Sequence, residues 1–87
     1  MKKSYRGYFV DYTIHTPGQL GQVLHGQRMA QGLTQKAAGA PVGLLPKTVG
    51  RLESDPERST VESLFKLLSA LNLELVIRPK SDQPSEW

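Results

Sequence analysis

The fold is decided by two strings of the sequence, Gly32-Leu33-Thr34-Gln35 and Thr48-Val49-Gly50-Arg51-Leu52-Glu53. Gly32 favours the left-handed conformation that ends a helix, and Thr34 is a good N-cap for the helix that follows. Gly43, between the two strings, suits a tight turn. The strings therefore predict two short helices joined by a turn, with basic and small side chains on the outside of the second helix.

A longer helix is expected before these strings. Thr16 is a suitable N-cap, and Pro17 fits the first helical position, where no backbone donor is needed. Apolar residues then recur at helical spacing until Gly32. The sequence therefore predicts a first helix that begins at Pro17 and ends before Gly32.

The next two helices are limited by prolines. The second helix should be short or distorted after Ala40, because Pro41 lacks a backbone N–H and clashes with the preceding turn. Pro46 sits where a first helical residue belongs, so we expect a third helix from Pro46 to Ser54. Val49 and Leu52 are three residues apart and form its inward face.

The last third of the chain predicts an amphipathic helix and a strand. Ser59-Thr60-Val61-Glu62 has the sequence of a capping box, with Ser59 as the N-cap. Six apolar residues at helical spacing should then supply most of the core. These residues are Val61, Leu64, Phe65, Leu67, Leu68 and Leu71. The segment from Leu73 to Arg78 is typical of a strand, and a lone strand leaves backbone groups unpaired.

The sequence therefore predicts a mainly α protein of four to five short helices, with one C-terminal β-strand that pairs across a homodimer. The residues expected at that dimer contact are Leu73, Leu75, Val76 and Ile77. A domain of 87 residues buries only a little more than about 60% of its unfolded surface, so a partner subunit would help it. We divide the chain into an N-terminal arm (residues 1–15), a helix-turn-helix and dimerisation domain (16–78) and a flexible C-terminal tail (79–87).

The charge pattern indicates a polyanionic partner. Net charge is only +3, but all eight acidic residues lie at Asp11 or at Glu53 and beyond. The stretch between them contains four cations and no carboxylate. These cations are Arg28, Lys36, Lys47 and Arg51. Such a block suits double-stranded DNA, although chance clustering in a small protein would look the same.

The candidate DNA-binding residues are Gln35, Lys36, Pro46, Lys47, Thr48, Gly50 and Arg51. Gln35, at a helix start, can present its amide to a phosphate, with Lys36 beside it. Lys47 and Arg51 are expected to point outward, where basic side chains pair with guanine. Gly50 would allow a close approach to a base edge. The alternative is an ordinary helical hairpin with solvated cations.

The residues do not indicate an enzyme. His15 and His25 have no acidic residue near them in sequence, and we interpret both as solvated surface without a metal or catalytic role. The chain contains no cysteine, so thiolate metal sites and disulfides are excluded, and no cofactor is expected. No segment has the roughly 20 apolar residues of a membrane span, and Met1-Lys2-Lys3 is not followed by a signal-peptide core. We expect a cytoplasmic protein associated with the nucleoid.

The strings quoted at the start resemble the lambda-repressor-like (XRE) helix-turn-helix family. The resemblance runs from about Leu20 to Leu71 and includes Arg28, four residues before Gly32. It implies that Arg28 pairs with Glu53, tying the first helix to the third, and that Gln35 clamps a phosphate. Pro46 departs from the family, which often has an adenine-reading Gln there, so the operator should differ.

Within that family the chain is similar to the HipB-type antitoxins. The likeness rests on the order of its parts, from Thr16-Pro17-Gly18-Gln19-Leu20 to the polar tail ending in Glu86-Trp87. It implies a homodimer with an intermolecular sheet, a palindromic operator in its own operon and a HipA-like serine/threonine kinase toxin as partner. Trp87 would then be a toxin-binding anchor; otherwise it is an inert exposed terminus. A stand-alone XRE-family regulator and a protein-interaction module with weak DNA binding are the alternatives.

Overall fold

The computed structural model describes residues 11–80, which contain four α-helices and two short 3-10 helices. The α-helices are α1 (Pro17–Ala30), α2 (Gln35–Gly39), α3 (Pro46–Ser54) and α4 (Val61–Ala70). The 3-10 helices are Ala40–Val42, directly after α2, and Pro56–Arg58, between α3 and α4. The mainly α fold is therefore confirmed for this part of the chain.

The helix starts follow the local signals of the sequence. Thr16 caps α1 by accepting a hydrogen bond from the Gln19 backbone N–H at 3.2 Å, and the Gln19 side chain completes a capping box that we had not predicted. Thr34 caps α2 in the same way, accepting from the Ala37 N–H at 3.0 Å. Pro17 and Pro46 each occupy a first helical position, where proline needs no backbone partner.

Two turns also lie where the glycines predicted them. Gly32 (φ 72°) follows α1, and Gly43 (φ 75°) follows the 3-10 helix after α2, so both adopt the left-handed conformation that favours glycine. Asn72 (φ 60°) adopts it after α4. α2 is short and gives way to a 3-10 helix at Ala40, as expected from Pro41.

The core lies among the four α-helices. It consists of buried aliphatic side chains from all four α-helices and the turns between them. The members of this core are Leu24, Ala38, Leu44, Val49, Leu52, Leu67, Leu68 and Leu71. Val49 and Leu52 are 0% and 1% exposed, which confirms the predicted inward face of α3.

The prediction for the start of α4 was wrong by one residue. Thr60, rather than Ser59, is the N-cap, and its hydroxyl accepts from the Ser63 backbone N–H at 3.0 Å. The 3-10 helix Pro56–Arg58 precedes Ser59, so α4 begins one residue later than the capping-box pattern indicated. Glu62 is consequently at the second helical position, where it does not complete that box.

Two of the six predicted core residues on α4 are exposed. Val61 and Phe65 are 68% and 51% exposed, whereas Leu67, Leu68 and Leu71 are buried. Val61 and Phe65 are four residues apart and lie on the same face of α4, which is exposed. They therefore form an apolar surface of the monomer and not part of its core.

The C-terminal segment has no helix or strand among the described residues 73–80. Leu73 is half-buried and packs against the core, whereas Leu75, Val76 and Ile77 are 49%, 66% and 90% exposed. The predicted strand is not confirmed in this single chain, and its pairing across a dimer stays a prediction. No helix within residues 11–80 has the length and apolar character needed to cross a bilayer.

Candidate nucleic-acid interface

Close packing of α2 against α3 sets the geometry of the helix-turn-helix. A Cβ atom added at Gly39 would lie 2.5 Å from the Leu44 carbonyl oxygen and 3.0 Å from a Val49 methyl carbon. Any larger residue at position 39 would push the two helices apart. Gly39 and the left-handed Gly43 together hold α3 at a fixed angle to α2.

The outer side of α3 faces an open cleft. α1 contributes Gln22 and His25 to its lining, and α2 contributes Gln35. The remaining wall comes from α3 and the residue after it. These residues are Lys47, Gly50, Arg51, Glu53, Ser54 and Asp55. Four of the seven predicted DNA-binding residues, Gln35, Lys47, Gly50 and Arg51, are thus brought together on this surface.

Arg28 forms a buried ion pair with Glu53, which lines the cleft. The Arg28 Nε donates to Glu53 Oε2 at 2.6 Å and its Nη2 donates to Oε1 at 3.0 Å. Both side chains are almost fully buried, at 8% and 6% exposure. The third donor, Nη1, reaches the Leu33 carbonyl at 2.7 Å. The pairing that the family resemblance implied is therefore confirmed.

The charge state of this pair follows from its surroundings. Burial raises the pKa of Glu53, but hydrogen bonds from Arg28, His25 and Gln35 and the charge of Arg28 outweigh it and hold that pKa below its usual value. The hydrogen bond to Glu53 raises the pKa of Arg28 despite its burial. Glu53 is consequently a carboxylate, and its oxygens accept from residues of α1 and α2 at once.

Gln35 lies across Gly50. A Cβ atom added at Gly50 would stand 3.1 Å from Gln35 Nε2, and the Gln35 side chain also contributes to the lowered pKa of Glu53. Gly50 therefore makes room for the Gln35 side chain, a function that the sequence did not indicate. A phosphate contact of Gln35 and a close approach of Gly50 to a base edge stay predictions. The structure shows that the two residues lie next to each other.

His25 makes a contact that the sequence analysis missed. Its Nδ1 lies 2.9 Å from Glu53 Oε1 and 3.3 Å from Arg28 Nη2, although its ring remains about half exposed. We had interpreted His25 as solvated because no acidic residue is near it in sequence, and Glu53 approaches it only through folding. The sequence contains one indication of this contact: His25 precedes Arg28 by three residues, so the two side chains lie on the same side of α1.

The three cations of α2 and α3 remain uncompensated. Lys36, Lys47 and Arg51 are exposed, and among residues 11–80 none of them forms an ion pair. By contrast, Arg58, in the 3-10 helix after α3, pairs with Asp55 at 3.0 Å. The two carboxylates that line the cleft are already paired, Glu53 with Arg28 and Asp55 with Arg58. A surface whose remaining cations are unpaired attracts a polyanion.

The comparison with known proteins agrees with this geometry. Residues 24–77 match the HTH_3 family model, described as helix-turn-helix. The chain belongs to this helix-turn-helix family. Two relatives named Antitoxin HipB, from Escherichia coli K12 and O6:H1, are 28% and 27% identical over 64 residues. Those 64 residues cover 74% of this chain, 73% of the K12 protein and 68% of the O6:H1 protein.

Solved structures of HipB have the same fold. A HipA-HipB-O2-O3 complex and a HipB-O4 20mer complex each superpose with a TM-score of 0.78 at 25% identity. Each comparison covers 82% of this chain and all of the HipB chain. The chain is therefore similar to HipB both in sequence and in the arrangement of its helices.

The other three predicted DNA-binding residues of this helix-turn-helix chain do not line the cleft. Pro46 is exposed at the start of α3, Thr48 is half-buried, and Lys36 lies on the outside of α2. Trp87, the predicted toxin contact, and the tail from residue 81 onward lie outside the described residues, as do residues 1–10 of the N-terminal arm. For the toxin contact at Trp87 the structure offers no test.

Proposed function

We propose that this protein is a sequence-specific DNA-binding repressor and the antitoxin of a type II toxin–antitoxin module. The observation that carries the DNA-binding part is the exposed, unpaired cationic surface of α2 and α3 around a cleft that Arg28 and Glu53 hold together. Membership in the helix-turn-helix family supports it. HipB structures in complex with O2-O3 and O4 add support from relatives.

In this proposal, α3 lies in the major groove and α2 touches the sugar–phosphate backbone. Gln35 and Lys36 hold phosphates, because a side-chain amide and an ammonium group at a helix start suit phosphate oxygens. Lys47 and Arg51 face base edges, where guanine O6 and N7 accept from basic side chains. The uncharged residues Pro46, Thr48 and Gly50 belong to the same DNA-facing surface of α3 and contribute to its shape.

The proposed active form is a homodimer on a palindromic operator in the promoter of its own operon. Two copies would place their α3 helices about one helical turn apart, roughly 34 Å. The exposed apolar side chains of α4 and the C-terminal segment support this assembly, since a monomer that leaves Phe65, Val76 and Ile77 in water exposes a sizeable apolar patch. Pairing of the 73–78 segments would satisfy their backbone groups.

The proposed protein partner is a HipA-like serine/threonine kinase toxin. The support comes from relatives named Antitoxin HipB and from a solved HipA-HipB-O2-O3 complex. Trp87 is the residue proposed to anchor in the toxin, because a large aromatic side chain in a polar tail suits a pocket of a partner. A cytoplasmic location follows from these partners.

The DNA-binding part is tested by selecting duplexes from a random library with the full 87-residue chain at about 150 mM salt, where non-specific binding is weak. We expect enrichment of a two-fold symmetric sequence that the protein then shifts in a gel. A library without any enriched sequence would contradict the proposal and favour a protein-interaction module.

The toxin part needs a separate experiment. The tagged full chain is used to capture partners from its native cells, alongside a Trp87→Ala variant as the matched control. We expect a kinase-fold protein encoded beside this gene, with reduced recovery on the variant. Capture of no such kinase, with operator binding intact, would instead identify a stand-alone transcription regulator.

A further inference from the structure

We propose that Leu45, with Pro46 beside it, recognises the 5-methyl groups of thymine in the operator. The inference rests on the proposed DNA-binding function and adds a specificity determinant to it. Leu45 stands directly before α3 and is 64% exposed, whereas its neighbour Leu44 is 9% exposed and belongs to the core. The chain thus turns one leucine inward and the next one outward at the tip of the recognition helix.

Leu45 is held in place by its own backbone. It is the N-cap residue of α3, with extended dihedral angles (φ −73°, ψ 154°). Its carbonyl oxygen accepts from the N–H groups of Thr48 at 3.0 Å and Val49 at 3.1 Å. Its side chain cannot take part in capping, because it has no oxygen, and an N-cap position usually has Ser, Thr, Asp or Asn. An aliphatic residue here gives up a cap interaction and presents an apolar group to the outside.

The position selects the kind of group that Leu45 would contact. In a helix-turn-helix, the N-terminal residues of the recognition helix touch base edges in the major groove. Here the first two positions, Leu45 and Pro46, have no side-chain donor or acceptor. The apolar group on base edges of the major groove is the C5-methyl of thymine. These two residues can therefore contribute to sequence recognition through that methyl group.

Leu45 is separate from the other exposed apolar residues. The larger set lies on α4 and the C-terminal segment, and includes Phe65, Val76 and Ile77. Leu45 instead adjoins Lys47 in a stretch without any carboxylate between Tyr12 and Leu52. The exposed cations Lys47 and Arg51 on α3 suit a nucleic acid, and they would repel a protein surface with a basic rim.

The test replaces single thymines by uracil in the duplex selected with the wild-type chain. Uracil keeps every hydrogen-bonding group of thymine and lacks only the methyl. We expect one position in each half-site at which uracil weakens wild-type binding by about two- to fivefold, the usual effect of one buried methyl group. Leu45→Ala should weaken binding to the thymine duplex and bring the thymine-to-uracil affinity ratio at that position close to one.

Lys36→Ala is the control variant, since a phosphate contact contributes equally on both duplexes. It should lower both affinities and leave their ratio as in the wild type. A helical circular-dichroism spectrum of Leu45→Ala checks that the variant folds. If uracil is tolerated at every position, or if Leu45→Ala keeps the wild-type ratio, the inference is overturned while DNA binding stands. Failure of the selection itself would overturn the proposed function.

Discussion

Arg28 and Glu53 join the first helix to the third through two side-by-side hydrogen bonds of 2.6 and 3.0 Å, in a site from which water is almost excluded. The contact spans 25 residues of sequence and lies directly behind Gln35 and Gly50. It therefore fixes the position of α3 relative to α1.

Removal of one partner should be costly. We expect Arg28→Met to lower the free energy of unfolding by about 3 kcal/mol, because it leaves a carboxylate buried without its counter-charge and the Leu33 carbonyl without a donor. Urea denaturation measures the change. Adding Glu53→Leu to this variant should restore part of the loss, since a well-packed apolar pair carries no desolvation penalty.

His25→Ala is the matched control for this prediction. It removes a half-exposed partner of the same carboxylate and should cost less than about 1 kcal/mol. An equal loss from His25→Ala and Arg28→Met would show that the buried pair is not the main connection between the helices.

Stability should fall in acid because of Glu53. Its pKa in the folded chain lies below the ordinary value of 4.5, so the stability it contributes is fully present above the unfolded-state pKa. That contribution is lost as pH falls through the folded-state pKa. We expect the free energy of unfolding to decrease from about pH 5 downward. Glu53→Gln should flatten this decrease, and the two curves should converge at low pH; parallel curves would contradict the assignment.

Gly21 provides a separate test of how closely α1 and α3 pack. A Cβ atom there would collide with the Glu53 backbone carbonyl, whereas a Cβ at Gly26 would meet no atom within 4 Å. Gly21→Ala should therefore destabilise the fold by about 1–3 kcal/mol through overpacking. Gly26→Ala, on the exposed side of the same helix, should stabilise it by about 0.5–1 kcal/mol. Thermal unfolding of both variants measures the contrast, and equal shifts would contradict it.

The helix starts were predictable because their causes are local. Thr16 and Thr34 each cap a backbone N–H three residues away, and Pro46 occupies the first position of its helix. Each of these causes lies within a few residues of the helix start, so the sequence alone predicts it. The error at Ser59 has the same origin. The hydroxyl residues at positions 59 and 60 suit the same role, and the 3-10 helix that selects Thr60 depends on how the chain leaves α3.

The contacts within the cleft were less predictable because they form between helices. His25 meets Glu53 across 28 residues, and the Gln35 amide covers Gly50 only once α2 has packed on α3. Periodicity also could not tell which apolar residues of α4 face the core. Phe65 belongs to the same predicted apolar set as Leu67 and Leu68, yet it is 51% exposed in the fold whereas they are buried.

Arg51 is expected to provide sequence specificity. Arg51→Ala should weaken binding to the selected operator by about 1–3 kcal/mol and relax the preference at one base pair in each half-site. A gel-shift titration with operator and with single-base variants measures both effects. Operator affinity unchanged within error would end this assignment.

Lys36 provides the contrast to Arg51. A phosphate contact predicts that Lys36→Ala weakens binding to all sequences alike and reduces the slope of log K against log salt by about 1. An unaltered slope would count against a phosphate role for this lysine.

The last prediction concerns the exposed C-terminal segment. Ile77 is 90% exposed in the single chain, and in the proposed dimer it lies in the strand that pairs with its copy. Ile77→Asp should convert the dimer to a monomer in sedimentation equilibrium, because an aspartate at a paired strand faces burial without a partner. Operator affinity should fall with it, since two linked half-site contacts become independent.

Met29→Asp is the control: it changes an exposed apolar residue of α1 and should leave the mass of the dimer unaltered. If the Ile77→Asp variant is still a dimer, the C-terminal segment is not the interface, and the exposed Val61 and Phe65 on α4 become the next candidates. If the Phe65→Asp variant is also a dimer, neither surface is the interface.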